Sequence, residues 1–159
     1  MINGSCGIHI HLDGADHTAR SIRNVMNIVA SKNDIIYKAL QVKESRMRYC
    51  QKIYTRLVEA IQAKRNPSLD DIEEIWYSNY SGNRNAHYHS SRYHFLNLHS
   101  FFSGHHTVEL RGFNGSLHAG VIRSYIALAL ALNNQALTQK FASAKKPQVE
   151  NEKFAMRTY

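Results

Sequence analysis

The chain has little cysteine. Cys6 and Cys50 are the only two thiols in 159 residues, and no Cys-x-x-Cys pair exists. A disulfide scaffold and a structural zinc knuckle are therefore not expected, and a reducing, cytoplasmic location is the default. Long apolar runs are also lacking. The most apolar stretch, Ser124 to Asn133, is too short to span a bilayer, so no membrane partner is expected. The N-terminus lacks a basic segment followed by an apolar one, so secretion is not expected. There is no internal repeat and no low-complexity tract. Carboxylates are scarce: 12 acidic residues face 20 lysines and arginines, a net charge of +8. That balance favours polyanionic partners, nucleotides or nucleic acid, unless it is simply a solvated basic surface. A hydrophobic content of 43% over this length fits one domain with a modest core.

What is present is a patterned first strand. In Gly7-Ile8-His9-Ile10-His11-Leu12-Asp13, alternation puts Ile8, Ile10 and Leu12 on one face and His9, His11 and Asp13 on the other. Two imidazoles and a carboxylate handle metals and phosphates, although a lone surface histidine has no such meaning. A second strand, His106 to Phe113, puts Glu109 and Arg111 on one face. A carboxylate is a hard ligand for Mg²⁺, and a guanidinium fork matches phosphate oxygens. The plainer reading of that pair is a cross-strand ion pair on a solvated sheet.

Between these strands the pattern reads as helices and a loop. Asp16 or Thr18 caps a first helix, interrupted at Ser31 to Asp34. Ser45 to Lys64 carries an apolar stripe of Met47, Cys50, Ile53, Tyr54, Leu57, Val58 and Ile61, with Arg46, Arg48, Lys52 and Arg56 off it. Asn66-Pro67 ends that helix, and Ser68 with Asp71 caps a short one to Tyr77. Residues 78–91, rich in His, Tyr, Asn and Ser, form a loop long enough to suspect function. Its Tyr80, His87, Tyr88 and His89 could cover a substrate. Tyr93 to Phe101 reads as a strand opened by Arg92 at the rim, with Asn97 in need of a hydrogen-bond partner if buried. His99, His105 and His106 fall near a hairpin turn with no assigned role. Ser116 caps a last helix to Lys140, with Val121, Ile122, Tyr125, Ile126, Ala129 and Leu132 buried. The expected fold is α+β, an antiparallel sheet with helices packed on one face and the polar groups on the other. It divides into a domain over 1–142 and a polar tail over 143–159.

Taken in order, Gly7-Ile8-His9-Ile10-His11, Arg92-Tyr93-x-x-Leu96-Asn97-Leu98, Thr107-Val108-Glu109-Leu110-Arg111 and Phe113-Asn114-Gly115 resemble the putative amidoligase family. Its relatives are glutamine synthetase and glutamate–cysteine ligase, the carboxylate–amine ligases. The resemblance covers about residues 5–132. It implies part of a glutamine-synthetase-like catalytic domain that uses ATP and Mg²⁺ to form an amide bond through an acyl phosphate. By that resemblance His9 and Glu109 ligate metal, and His11 contacts an ATP phosphate. Arg111 steadies the transferring phosphoryl group, and Arg92 binds phosphates or substrate. The carboxylate and amine substrates, peptide or protein among them, are not named by it. The family's usual first strand, Gly-x-Glu-x-Glu, is not found here. This implies the C-terminal portion of such an enzyme, in a homo-oligomer or with a complementing subunit.

Two other readings compete. A His-hydrophobe-His nuclease or transposase would use His9-Ile10-His11 to hold a divalent metal, and a helix tyrosine, Tyr37, Tyr49 or Tyr54, to attack single-stranded DNA. A catalytically inactive remnant would bind only a nucleotide or a partner.

Overall fold

The computed structural model describes residues 6–146. The expected tail beyond Lys146 lies outside them. The described chain is α+β. Strand β1 (Gly7–Asp13) is followed by α1 (Ala19–Ala39), a 3-10 turn over Glu44–Tyr49, α2 (Thr55–Ala63) and α3 (Leu69–Tyr77). A long loop leads through a 3-10 turn at Ser90–Arg92 into β2 (Leu96–Asn97), α4 (His99–Phe102), β3 (Thr107–Asn114) and α5 (Ala119–Thr138). The strands form one antiparallel sheet in the order β1-β3-β2.

The alternation read from β1 holds. Leu12 is buried and Ile8 and Ile10 pack against the core, while His9, His11 and Asp13 face away. Helix α5 packs on α1 and on β1, closing the apolar side. The loop and α4 lie toward the other side. At the α1 terminus Thr18 makes the capping box with Ser21, and at α3 Ser68 makes one with Asp71.

Four expectations differ. Helix α1 runs unbroken through Ser31 to Asp34, with Ile28, Val29, Ile36 and Tyr37 buried on either side of that segment. Ser31 donates back to the Ile28 carbonyl, while Asn24 and Asn27 hold backbone groups at the end of α5. Second, Ser45 to Lys64 is not one helix. The chain extends at Gln51 to bridge His94: the Gln51 N–H donates to the Tyr93 carbonyl, and the Phe95 N–H donates to the Gln51 carbonyl. Met47 is left exposed, and Arg46, expected off the apolar stripe, is 2% exposed. Third, the strand expected from Tyr93 shrinks to Leu96–Asn97, because the Asn97 carbonyl oxygen Oδ1 accepts from the His99 backbone N–H and starts α4. Fourth, Ser116 does not cap α5. The His118 ring does, and Val121 and Ile126 are exposed while Ala129 and Leu132 are buried. Ala142, at the end of the expected domain, is buried, and Lys146 pairs with Asp34.

Arg46 pins the sheet. Its guanidinium donates to the carbonyls of Arg111 (2.9 Å), Gly112 (3.3 Å) and Phe113. Those residues form a β-bulge: Ile8 pairs with Phe113 and Ile10 with Leu110, so β3 spends one more residue than β1. Gly7 and Gly112 have no room for a side chain. A Cβ on Gly7 would meet Arg46, and one on Gly112 would meet the Phe95 ring, each at 1.9 Å. Replacing Arg46 with Met removes charged donors from three buried carbonyls, each such bond contributing about 1.5–3 kcal/mol. We expect Arg46→Met to lower unfolding stability by about 3 kcal/mol or more in urea titrations. A change within about 0.5 kcal/mol would show that the bulge holds without it.

Candidate functional site

The register of the three strands builds a row across the sheet. His11 of β1 pairs with Glu109 of β3, and Glu109 pairs with Asn97 of β2. Side chains in register point to one face. On the face opposite, Ile10, Leu110 and Leu96 make the corresponding apolar row. The polar row converges on the Glu109 carboxylate, which is 2% exposed.

Each oxygen of that carboxylate has neighbours. Oε2 accepts from the Asn97 side-chain amide. Oε1 has His9 Nδ1 at 2.9 Å, His11 Nε2 at 3.6 Å and Arg111 Nε at 3.8 Å. None of these completes a well-aligned hydrogen bond to Oε1. Burial alone would push the Glu109 pKa up. The His9 contact, the Arg111 charge, the Asn97 amide and the His11 charge outweigh it and hold the group at about 2. Thr107 Oγ1 shares a hydrogen bond with His11 Nδ1 at 2.9 Å, which turns Nε2 toward Glu109.

Above this row is a cavity of about 460 Å³, within the range of small-molecule sites. His9, His11, Asn97, Thr107 and Glu109 form its floor. His99 and Ser100 of α4, Asn85, His87 and Arg92 of the loop, and Ser103 and His105 of the turn complete it. Arg92 donates to the His87 carbonyl at 2.8 Å, and its Cζ lies 5.2 Å from the Tyr88 ring centroid. Its Nε is buried without a hydrogen-bond partner.

The residues singled out in the sequence thus divide in three. His9, His11, Glu109 and Arg92 share the cavity wall. Arg111 stands behind it, 5% exposed, with its guanidinium 5.6 Å from the Tyr93 ring centroid and its Nε and Nη1 without hydrogen-bond partners. Burial lowers the Arg111 pKa. Asp13 stays outside the cavity and accepts from the Ala15 backbone N–H.

Sequence reasoning left His99 and His105 without a role, yet both line the cavity. His99 is buried, with Nδ1 2.7 Å from the Tyr77 hydroxyl, its ring stacked on His89, and Nε2 3.1 Å from the Ala86 carbonyl. Burial, with the nearby charges of His89, Arg92 and His87, lowers its pKa. The signal for its placement was Asn97, whose side chain turns the chain back over the sheet directly after β2. The tyrosines of the nuclease reading are elsewhere. None of Tyr37, Tyr49 and Tyr54 lines the cavity, and the Tyr37 hydroxyl is buried against the Cys50 carbonyl.

Glu109 Oε1 and His9 Nδ1 are the oxygen and nitrogen best placed to hold a cation. Among the described residues no group of three or more His, Cys, Asp or Glu side chains is arranged as a metal cage. The carboxylate is a hard oxygen donor of the kind Mg²⁺ takes, whereas an imidazole nitrogen suits softer divalent metals.

Asn97→Leu tests the carboxylate's setting. A carboxylate held below its ordinary pKa stabilises the fold above that ordinary value and ceases to do so as pH falls through about 2. Removing the amide raises the folded-state pKa and leaves the His99 backbone N–H without its acceptor. We expect a loss of about 1–3 kcal/mol at pH 7. The gap in stability between pH 7 and pH 3, read from urea titrations, should narrow. An unchanged gap would mean that Asn97 does not act on Glu109.

A search of the curated proteins finds no match, and a search of the solved structures finds none. Among protein-family models, the one described as putative amidoligase enzyme matches residues 1–133. The motifs that build the row and the cavity fall within that span, and the chain belongs to the putative amidoligase family.

Proposed function

We propose that this chain provides the nucleotide and metal face of an ATP-dependent carboxylate–amine ligase. Family membership supports ligase chemistry. The observation that carries the finer reading is the meeting of His9, His11, Glu109 and Arg92 on one cavity wall, drawn from β1, β3 and the loop.

In this reading a substrate carboxylate oxygen attacks the γ-phosphorus of ATP, and ADP leaves with the electron pair of the broken P–O bond. An amine then attacks the acyl carbon of the resulting acyl phosphate, gives up a proton and displaces inorganic phosphate. Mg²⁺, when bound, neutralises charge on the phosphate oxygens. Glu109 and His9 would hold it. His11, kept in place by Thr107, is assigned a phosphate oxygen. Arg92 is assigned phosphates or the substrate carboxylate from the rim. Arg111, behind the cavity wall, keeps Glu109 ionised, and through that charge it is assigned to steadying the transferred phosphoryl group.

Calorimetry with Mg-ATP tests this reading. We expect binding that weakens at least about tenfold in Glu109→Gln and in Arg92→Gln, as loss of groups that hold or orient a metal does. Hydroxylamine offered with a panel of carboxylates should trap the acyl phosphate as a hydroxamate with release of ADP. A well-folded chain that binds no Mg-ATP would contradict the reading and leave a non-catalytic binding role.

A further inference from the structure

A second concavity, of about 380 Å³, lies where α1 begins, α5 ends and the α2–α3 connection passes. It shares no residue with the candidate site. Arg20, Arg23 and Lys140 line it together with Asn66, Pro67 and Phe141. No Asp or Glu lines it, and among the described residues none of its three cations forms an ion pair. Three uncompensated cations around one hollow repel one another and favour an anion between them.

Arg23 adds an independent sign. Its Nε is buried and has no hydrogen-bond partner. Buried donors are nearly always satisfied, so an orphan needs an acceptor from outside the chain. The guanidinium lies over the Phe141 ring, 5.6 Å from its centroid. A planar fork beside two further cations suits the oxygens of a phosphate. A wider groove elsewhere, lined by Lys52 and Lys146, lacks this property, because both ammonium groups already close on Asp34.

We propose that this concavity is a phosphate-binding site, formed by Arg20, Arg23 and Lys140 with the Asn66 side chain and separate from the cavity over Glu109. The phosphate is that of a small free anion or of a nucleic-acid backbone.

Proton–nitrogen NMR of the full chain reads the site directly through the Arg23 Nε–H signal. Inorganic pyrophosphate, titrated in low-salt buffer without divalent metal, should shift that signal saturably. Lys140→Gln, at an exposed position, should weaken the response about tenfold, and Arg20→Gln should do the same. A twelve-nucleotide single-stranded DNA that displaces pyrophosphate from this signal would support a backbone phosphate as the ligand. Failure to displace it would support the small anion. The proposal is overturned if pyrophosphate leaves the Arg23 signal unmoved, or if the apparent affinity there is the same in the wild type and both variants.

Discussion

The sheet carries an ionised carboxylate with almost no access to water, and the polar half of the molecule is arranged around it. Burying a carboxylate costs several kcal/mol unless partners return the lost hydration. Glu109 has those partners on every strand: His9 and His11 on β1, Asn97 on β2 and Arg111 on its own strand. Such a group is held ready rather than consumed. Oε1 is approached by three nitrogens, and none completes a well-aligned hydrogen bond to it.

That arrangement rests on a backbone irregularity. A regular antiparallel pairing of β1 and β3 could not keep both Ile8 against Phe113 and Ile10 against Leu110. The bulge takes up the extra residue, and Arg46 satisfies the three carbonyls it exposes. The two glycines belong to the same device. Gly7 leaves space for the Arg46 guanidinium and Gly112 for the Phe95 ring. A cation in the 3-10 turn over Glu44–Tyr49, far from both strands in sequence, therefore helps set where Arg111 stands relative to Glu109.

The sequence was most legible where one periodicity governed. Alternation in β1 assigned every side chain to its face, and the capping residues Thr18 and Ser68 marked their helices. The need of Asn97 for a partner was also readable, and Glu109 and His99 are those partners. Tertiary pairing was not readable. Arg46 looked like a solvated helix residue because its carbonyl acceptors are 65 or more positions away. The α1 break was misread because Ser31 and its polar neighbours resemble a loop until their internal bonds are known. The histidines of α4 and the turn were passed over because a two-residue strand followed at once by a helix leaves no periodic trace. The polar faces carrying His9, His11 and Glu109 were readable from strand alternation and Arg92 from its place at the rim, and one cavity wall holds all four.

The account turns on Glu109 remaining charged inside the sheet. Carbon-13 NMR of its side-chain carboxyl, followed from pH 7 into acid while the fold persists, measures this directly. The surrounding imidazoles, amide and guanidinium should keep the group ionised well below pH 4, titrating at about 2. A midpoint at or above the ordinary 4.5 would contradict it, since the surrounding imidazoles, amide and guanidinium would then not be compensating the burial of the charge.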